Sequence, residues 1–158
     1  MRKIFLFIII ILIGAVTASA QLYRYLDTNH GLSSRRVIAI EKDTKGYMWF
    51  LTQEGIDRYN GKQFTHYPLT DGNRQIQQLP NLSQLQLDTQ GNIWVIGKKG
   101  YVFQYNSYQD KYDLIMNFAD SLQTTRKVPL TYAGIDTNDQ LWLCTRKAQY
   151  IYRISTGK

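Results

Sequence analysis

Asp43-Thr44-Lys45-Gly46-Tyr47-Met48-Trp49 is the first of three copies of one pattern in this chain. The second copy is Asp88-Thr89-Gln90-Gly91-Asn92-Ile93-Trp94, and the third is Asp136-Thr137-Asn138-Asp139-Gln140-Leu141-Trp142. Each copy opens with Asp-Thr and ends on Trp, and the chain has no further Trp. The three Trp residues lie 45 and then 48 residues apart. A period of this length is typical of stacked repeats, so the sequence predicts a repeat architecture.

The residues around the first copy predict a sheet of four short antiparallel strands. Residues 36–41 and 48–52 flank the Asp-Thr-Lys-Gly segment, whose residue types favour a tight turn. Residues 56–59 and 63–67 follow, and they are joined by Asn60-Gly61, the strongest hairpin signal in the chain. The later copies repeat this order, and we expect the fourth strand to be missing from the third.

The second strand of each copy is apolar on both faces, as Met48-Trp49-Phe50 illustrates. Such a strand must be covered on both faces. Four-stranded sheets stacked on copies of themselves meet this requirement, and about 40–50 residues per sheet is the repeat of a β-propeller. We therefore predict an all-β fold, a partial β-propeller of about two and a half blades. The predicted blades are residues 36–80, residues 81–128 and an incomplete third at 129–158.

The residues shared by the copies are interpreted as structural anchors. Asp and Gly are the turn formers, and Trp packs one blade against the next. The three Asp residues belong to three different blades, so they are not expected to converge on one metal ion. The predicted anchors are Asp43, Gly46, Trp49, Gly55, Asp88, Gly91, Trp94, Gly100, Asp136 and Trp142.

The sequence predicts no catalytic, metal-binding or cofactor-binding set. His30 and His66 have no second ligand at metal-like spacing and are expected to be surface residues. Cys144 is the single Cys, and we expect it to fill the core. The 12 Tyr residues are compatible with sugar stacking or with ordinary strand packing, so no ligand contact is assigned among them.

The first twenty residues predict a secretory signal peptide. Arg2 and Lys3 precede the apolar residues 4–16, and Ala18-Ser19-Ala20 predicts cleavage before Gln21. An uncleaved anchor is the alternative, and no other segment is expected to span a membrane. The formal charge of +7 comes from scattered basic pairs, which favours a solvated surface over nucleic-acid binding. Residues 21–35 are expected to be an outer strand of a closing blade, because residues 23–31 resemble residues 64–72.

The first copy resembles the two-component regulator propeller repeat. The resemblance spans residues 21–158; it is weaker in the second copy, where Gly97 replaces Thr52, and in the third, where Asp139 and Ala148 replace Gly. The residues that carry it are Gly31-Leu32-Ser33-Ser34, Val37, Ile40, Asp43, Gly46, Trp49-Phe50, Thr52, Gly55-Ile56 and Arg58-Tyr59-Asn60-Gly61.

The resemblance implies an N-terminal part of the periplasmic sensor of a hybrid two-component histidine kinase. In that family the partners are the remaining blades and domains of an inner-membrane-anchored parent, which signals by phosphorelay as a homodimer. The implied ligands are oligosaccharides, and this chain itself is expected to have no enzyme activity and no cofactor.

Two other functions stay open. One is a propeller that docks proteins without a small ligand, and the other is a sialidase-like glycosidase. The sialidase Asp box places Asp two residues before Gly and five before Trp, whereas the offsets here are three and six.

Overall fold

The computed structural model describes residues 23–72, 74–76, 83–97, 99–118 and 130–153. The expected signal peptide therefore lies outside the described residues. Within the described ranges, no helix is long and apolar enough to cross a membrane.

Three antiparallel sheets form the fold, and in each the strands are neighbours in chain order. The first sheet holds β1 (Val37–Lys42), β2 (Met48–Thr52), β3 (Ile56–Tyr59) and β4 (Phe64–Tyr67). A two-stranded hairpin follows, made of β5 (Thr70–Asp71) and β6 (Arg74–Gln75). The second sheet holds β7 (Gln84–Leu87), β8 (Ile93–Ile96), β9 (Tyr101–Asn106) and β10 (Lys111–Asn117). The third holds β11 (Tyr132–Ile135), β12 (Gln140–Cys144) and β13 (Gln149–Arg153).

The first strands of the three sheets lie side by side, with β7 contacting both β1 and β11. This is the arrangement of consecutive propeller blades, whose first strands surround a common axis. The prediction of an all-β partial propeller is confirmed. The β5–β6 hairpin was not expected from the sequence.

The first seam, between the first and second sheets, is closed by apolar side chains from both. Trp49 and Leu51 on β2 are buried against Ile93 and Val95 on β8. Trp49 also lies at 4.7 Å from the ring of Tyr105 on β9, in an edge contact. Because Trp49 is only 1% exposed, its ring packs between two sheets and has no free face on which a sugar could stack.

The second seam, between the second and third sheets, repeats this arrangement with the other face of β8. Trp94 and Ile96 pack with Leu141 and Leu143 of β12. Side chains alternate between the two faces along a strand, so β8 serves both seams at once. This explains why all four residues of β8 are apolar and buried.

The third sheet is covered on one face. Leu141 and Leu143 are buried in the second seam, whereas Trp142 and Cys144 point to the opposite face and are half-buried. None of the described sheets covers that face. The expectation that Cys144 fills a core is therefore wrong for the described residues.

Gly55 and Gly100 let the fourth strand pass close to the turn between the second and third strands. A Cβ on Gly55 would lie 2.8 Å from the ring of His66, and one on Gly100 would lie 2.7 Å from Phe118. Both glycines also have positive φ, of 147° and 91°. The third sheet has Ala148 at this position, and no fourth strand lies beside it among the described residues.

The segment before the first sheet does not form a strand. Tyr23 and Tyr25 are largely exposed, and the 3-10 turn Thr28–His30 follows, capped by Asp27. A strand needs a hydrogen-bonded neighbour, and no described strand pairs with residues 23–27. Their role in closing a blade stays a prediction.

We predict that Trp94→Ala destabilises the protein by about 3–5 kcal/mol, because it opens a cavity in the second seam. Trp142→Ala is the matched control, and a clearly smaller loss is expected because Trp142 is half-buried. Urea unfolding followed by circular dichroism measures both. Equal losses for the two variants would contradict the assignment of Trp94 to a closed seam.

Candidate functional site

The Asp that opens each copy of the pattern holds its own hairpin together. In the first copy Asp43 Oδ1 accepts hydrogen bonds from the backbone N–H groups of Lys45 and Tyr47, both at 2.9 Å. Its Oδ2 accepts the indole N–H of Trp49 at 2.8 Å. Asp88 and Asp136 make the equivalent bonds at offsets of two, four and six residues.

The Thr that follows this Asp contacts the hairpin of the next sheet. Thr44 packs on Gly91, where a Cβ would lie 3.0 Å from the Thr44 methyl group. Thr89 donates its backbone N–H to Asp139 Oδ1 at 2.8 Å and its hydroxyl to Oδ2. Asp139 thus replaces the repeat Gly with a side chain that binds across the second seam, and it adopts the left-handed φ of 56°.

These contacts use both carboxylate oxygens of each Asp inside its own hairpin. We propose the Asp, Gly and Trp residues of the pattern as structural anchors, since these hydrogen bonds join the Asp carboxylate to its own turn and to the Trp ring. No cluster of three His, Cys, Asp or Glu side chains suited to a metal ion occurs in the part of the chain that the structure describes.

A polar cluster bridges the first seam, and we call it the Arg58 cluster: Arg58 and Tyr67 from the first sheet, Tyr105 and Asp110 from the second. Arg58 Nη1 donates to the Tyr105 hydroxyl at 2.7 Å and to Asp110 Oδ1 at 3.1 Å. The Tyr67 hydroxyl donates to the same Asp110 oxygen at 2.8 Å, and the Tyr105 hydroxyl also donates to it. Three donors from two sheets therefore meet at one carboxylate oxygen.

Aromatic rings surround the guanidinium of Arg58. Its central carbon lies 5.0 Å from the ring centre of Tyr47, 5.5 Å from Trp49 and 5.2 Å from Tyr67. These are cation–π distances, so the rings stabilise the charge and fix the side chain in the seam.

The charges of the cluster are set by these contacts. Hydrogen bonds from Tyr105 and Tyr67, together with the charge of Arg58, hold the pKa of the Asp110 carboxyl below its ordinary value. Burial is the main cause that raises the pKa of Tyr67 and that of Tyr105, and the hydrogen bond to Asp110 raises both further. At neutral pH the cluster is therefore an ionised carboxylate held by one guanidinium and two phenols.

A cavity of about 400 Å³ opens beside the Arg58 cluster, between the hairpin turns of the first two sheets. Arg58, Tyr105 and Asp110 line it, together with Lys45 and Asn92 from those turns. Its volume falls in the range of about 300–1,000 Å³ that is usual for small-ligand sites. We take it as the candidate functional site.

A second polar group lies on the other face of the first sheet. Asp57 is completely buried; its Oδ2 accepts the backbone N–H of Ser33 at 2.9 Å and the Ser33 hydroxyl at 2.6 Å. Its Oδ1 lies 2.9 Å from His66 Nδ1. The carboxylate stands between Ser33 and His66, whereas a catalytic triad places the histidine between serine and carboxylate. This group binds the segment before β1 to the sheet and does not activate Ser33.

Sequence reasoning missed both groups. The 12 Tyr residues were given no ligand contact; Tyr67 and Tyr105 belong to the Arg58 cluster, whereas Tyr108, in the turn between β9 and β10, is almost fully exposed. Arg58 belongs to the stretch Arg58-Tyr59-Asn60-Gly61 that carries the repeat resemblance, but Asp110 lies 52 residues later and carries no local motif. One available signal was Asp57-Arg58, an adjacent pair of opposite charges on a predicted strand bounded by Ile56 and Tyr59.

The solved structures similar to this chain include extracellular domains of two hybrid two-component systems from B. thetaiotaomicron. The first has 24% sequence identity and a TM-score of 0.62, and the match covers 85% of this chain and 19% of that domain. The second has 20% identity and a TM-score of 0.60, and the match covers 89% of this chain and 18% of that domain. Virginiamycin B lyase from Staphylococcus aureus has 13% identity and a TM-score of 0.54, and the match covers 89% of this chain and 48% of the lyase. No protein-family model and no curated protein matches the chain.

At these identities the superpositions show the propeller fold, which sensor domains and a lyase share, and a fold does not decide an activity. The resemblance noted in the sequence is confirmed at the level of the fold, since two of the neighbours are sensors of the class it named. The chain spans about a fifth of the length of those two domains.

We predict that the Arg58 cluster makes the free energy of unfolding depend on pH in the acidic range. Because the folded-state pKa of Asp110 is below its ordinary value, its contribution is fully present above about pH 4 and is lost as the pH falls through the folded-state pKa. Asp110→Asn should remove this contribution, so the wild-type and variant stabilities converge at low pH.

Urea unfolding between pH 7 and pH 2.5 measures this dependence. Glu54→Gln, in an exposed turn outside the cluster, is the control and should keep the wild-type profile. A gap between wild type and Asp110→Asn that stays constant over the whole range would contradict the role given to the Asp110 carboxylate.

Proposed function

We propose that this chain is part of the exported sensor region of a hybrid two-component regulator. The observation that supports this most is the superposition of 85% of the chain on an extracellular domain of such a system, at a TM-score of 0.62. The repeat pattern of the sequence resembles the same class independently. The proposed location is the periplasm, with the remaining blades and domains of a membrane-anchored, homodimeric parent as partners.

The ligand that we propose is an oligosaccharide. The resemblance suggests this class, and the cavity beside the Arg58 cluster offers chemistry that suits it. Tyr105, Asn92 and Lys45 supply hydrogen-bonding groups around a space large enough for a sugar unit. A carboxylate and a guanidinium in the same wall provide an acceptor and a donor for hydroxyl groups.

Signalling is proposed for the parent protein and not for these residues. The three sheets contribute a rigid part of the receptor, because each seam holds a buried Trp and a polar bridge. Enzymatic glycan cleavage is not favoured by either polar group, since the Asp57 group lacks the order of a triad and Asp110 is engaged by three donors.

Titration calorimetry of the purified extracytoplasmic region against a panel of neutral and acidic oligosaccharides tests the proposal. We expect saturable heat with at least one sugar, and we expect Arg58→Ala to weaken that binding about tenfold if the cavity contacts the sugar. The absence of heat across the panel would contradict the ligand class. Release of shortened sugars during incubation would favour the glycosidase alternative instead.

A further inference from the structure

Arg58, Tyr67 and Tyr105 together have the composition and geometry of a carboxylate receptor. One guanidinium and two phenol groups converge on a single oxygen of Asp110. The donors belong to two different sheets, and buried rings hold the guanidinium in place. Such a set of donors is organised before any ligand arrives, which is the condition for binding an anion well.

Within the described residues, the side chain of Asp110 is hydrogen-bonded only to the three donors of this receptor. Asp110 lies in the turn between β9 and β10, and its side chain is 56% exposed, against 20% for Arg58. Its φ of 51° is in the left-handed region, which carries a cost for a residue with a Cβ. The turn can therefore release the carboxylate without disturbing either sheet.

The receptor can be reached from the cavity. Arg58, Tyr105 and Asp110 all line the space of about 400 Å³ between the hairpin turns. A small ligand in that space would have its acidic group within reach of the same donors. The lowered pKa of Asp110 agrees with this geometry, because it shows that the site favours a charged carboxylate over a neutral one.

We propose that Arg58, Tyr67 and Tyr105 bind the carboxylate of a small acidic ligand, and that Asp110 is a built-in competitor that the ligand displaces. Asp110 is tethered at high effective concentration, so it raises the ligand concentration needed for binding. The turn of residues 107–110 then reports whether the receptor is occupied by Asp110 or by a ligand. This proposal does not depend on the sensing role.

Calorimetric titration of the full chain with three probes tests the receptor. Glucuronate carries a carboxylate on a sugar ring, acetate carries the carboxylate alone, and glucose carries the ring without the charge. In Asp110→Ala we expect glucuronate to bind about tenfold or more tightly than in the wild type, because the competitor is gone. We expect no such gain for glucose.

Two further variants make the result specific. Asp113→Asn removes a negative charge from the neighbouring strand outside the cluster, and it should leave glucuronate binding as in the wild type. The double variant Arg58→Gln with Asp110→Ala should lose the gain. A gain for acetate would assign recognition to the carboxylate alone, whereas a gain for glucuronate only would assign it to an acidic sugar.

A folded Asp110→Ala variant that gains no affinity for either carboxylate would overturn the proposal, as would equal gains for glucose and glucuronate. If Asp110→Ala does not fold, hydrogen–deuterium exchange on the wild-type chain decides instead. Saturating glucuronate should then speed amide exchange in residues 107–110, and glucose should not. Unchanged exchange in that turn would equally overturn the proposal.

Discussion

The hydrogen bond from the Trp indole to the Asp six residues earlier is the interaction on which the rest of the structure depends. It recurs in all three sheets at 2.8–2.9 Å. The same carboxylate also receives two backbone N–H groups of the turn, so one side chain fixes the hairpin and the position of the ring. Because the carboxylate holds the ring in the same way in each hairpin, Trp49 and Trp94 each pack into the seam with the next sheet.

The two seams nevertheless differ in their polar chemistry. The second is bridged by Thr89 with Asp139 and by Gln86, whose side-chain oxygen accepts the backbone N–H of Ile135 at 2.7 Å. The ring centres of Phe118 and Tyr150 lie 4.9 Å apart across it. The first carries the Arg58 cluster and the cavity. The repeated hairpins thus supply the geometry, and the Arg58 cluster supplies the polar chemistry of the first seam. The candidate site lies between two blades, and residues of the first two copies, among them Asp43, Trp49 and Gly91, form part of its wall.

The fold could be predicted from the sequence because its determinants are local. Turn residues and apolar alternation placed β2 and β3 at their observed bounds and β1 and β4 within one residue of theirs. The candidate site could not be predicted in this way, since Arg58 and Asp110 meet only after two sheets have packed. Burial of Asp57 was missed for the same reason, because its partner Ser33 precedes the sheet. The exposure of Cys144 depends on what covers the third sheet, which no local pattern reports.

A double-mutant cycle on Asp88 and Trp94 tests the central interaction most directly. Trp94→Phe removes the indole N–H and keeps an aromatic ring, Asp88→Ala removes the acceptor, and the double variant removes both. Urea unfolding of the four proteins gives the coupling free energy. We predict a coupling of about 1.5–3 kcal/mol, as for a buried hydrogen bond to a charged group. A coupling near zero would show that the two residues act separately and would contradict the central role of this hydrogen bond.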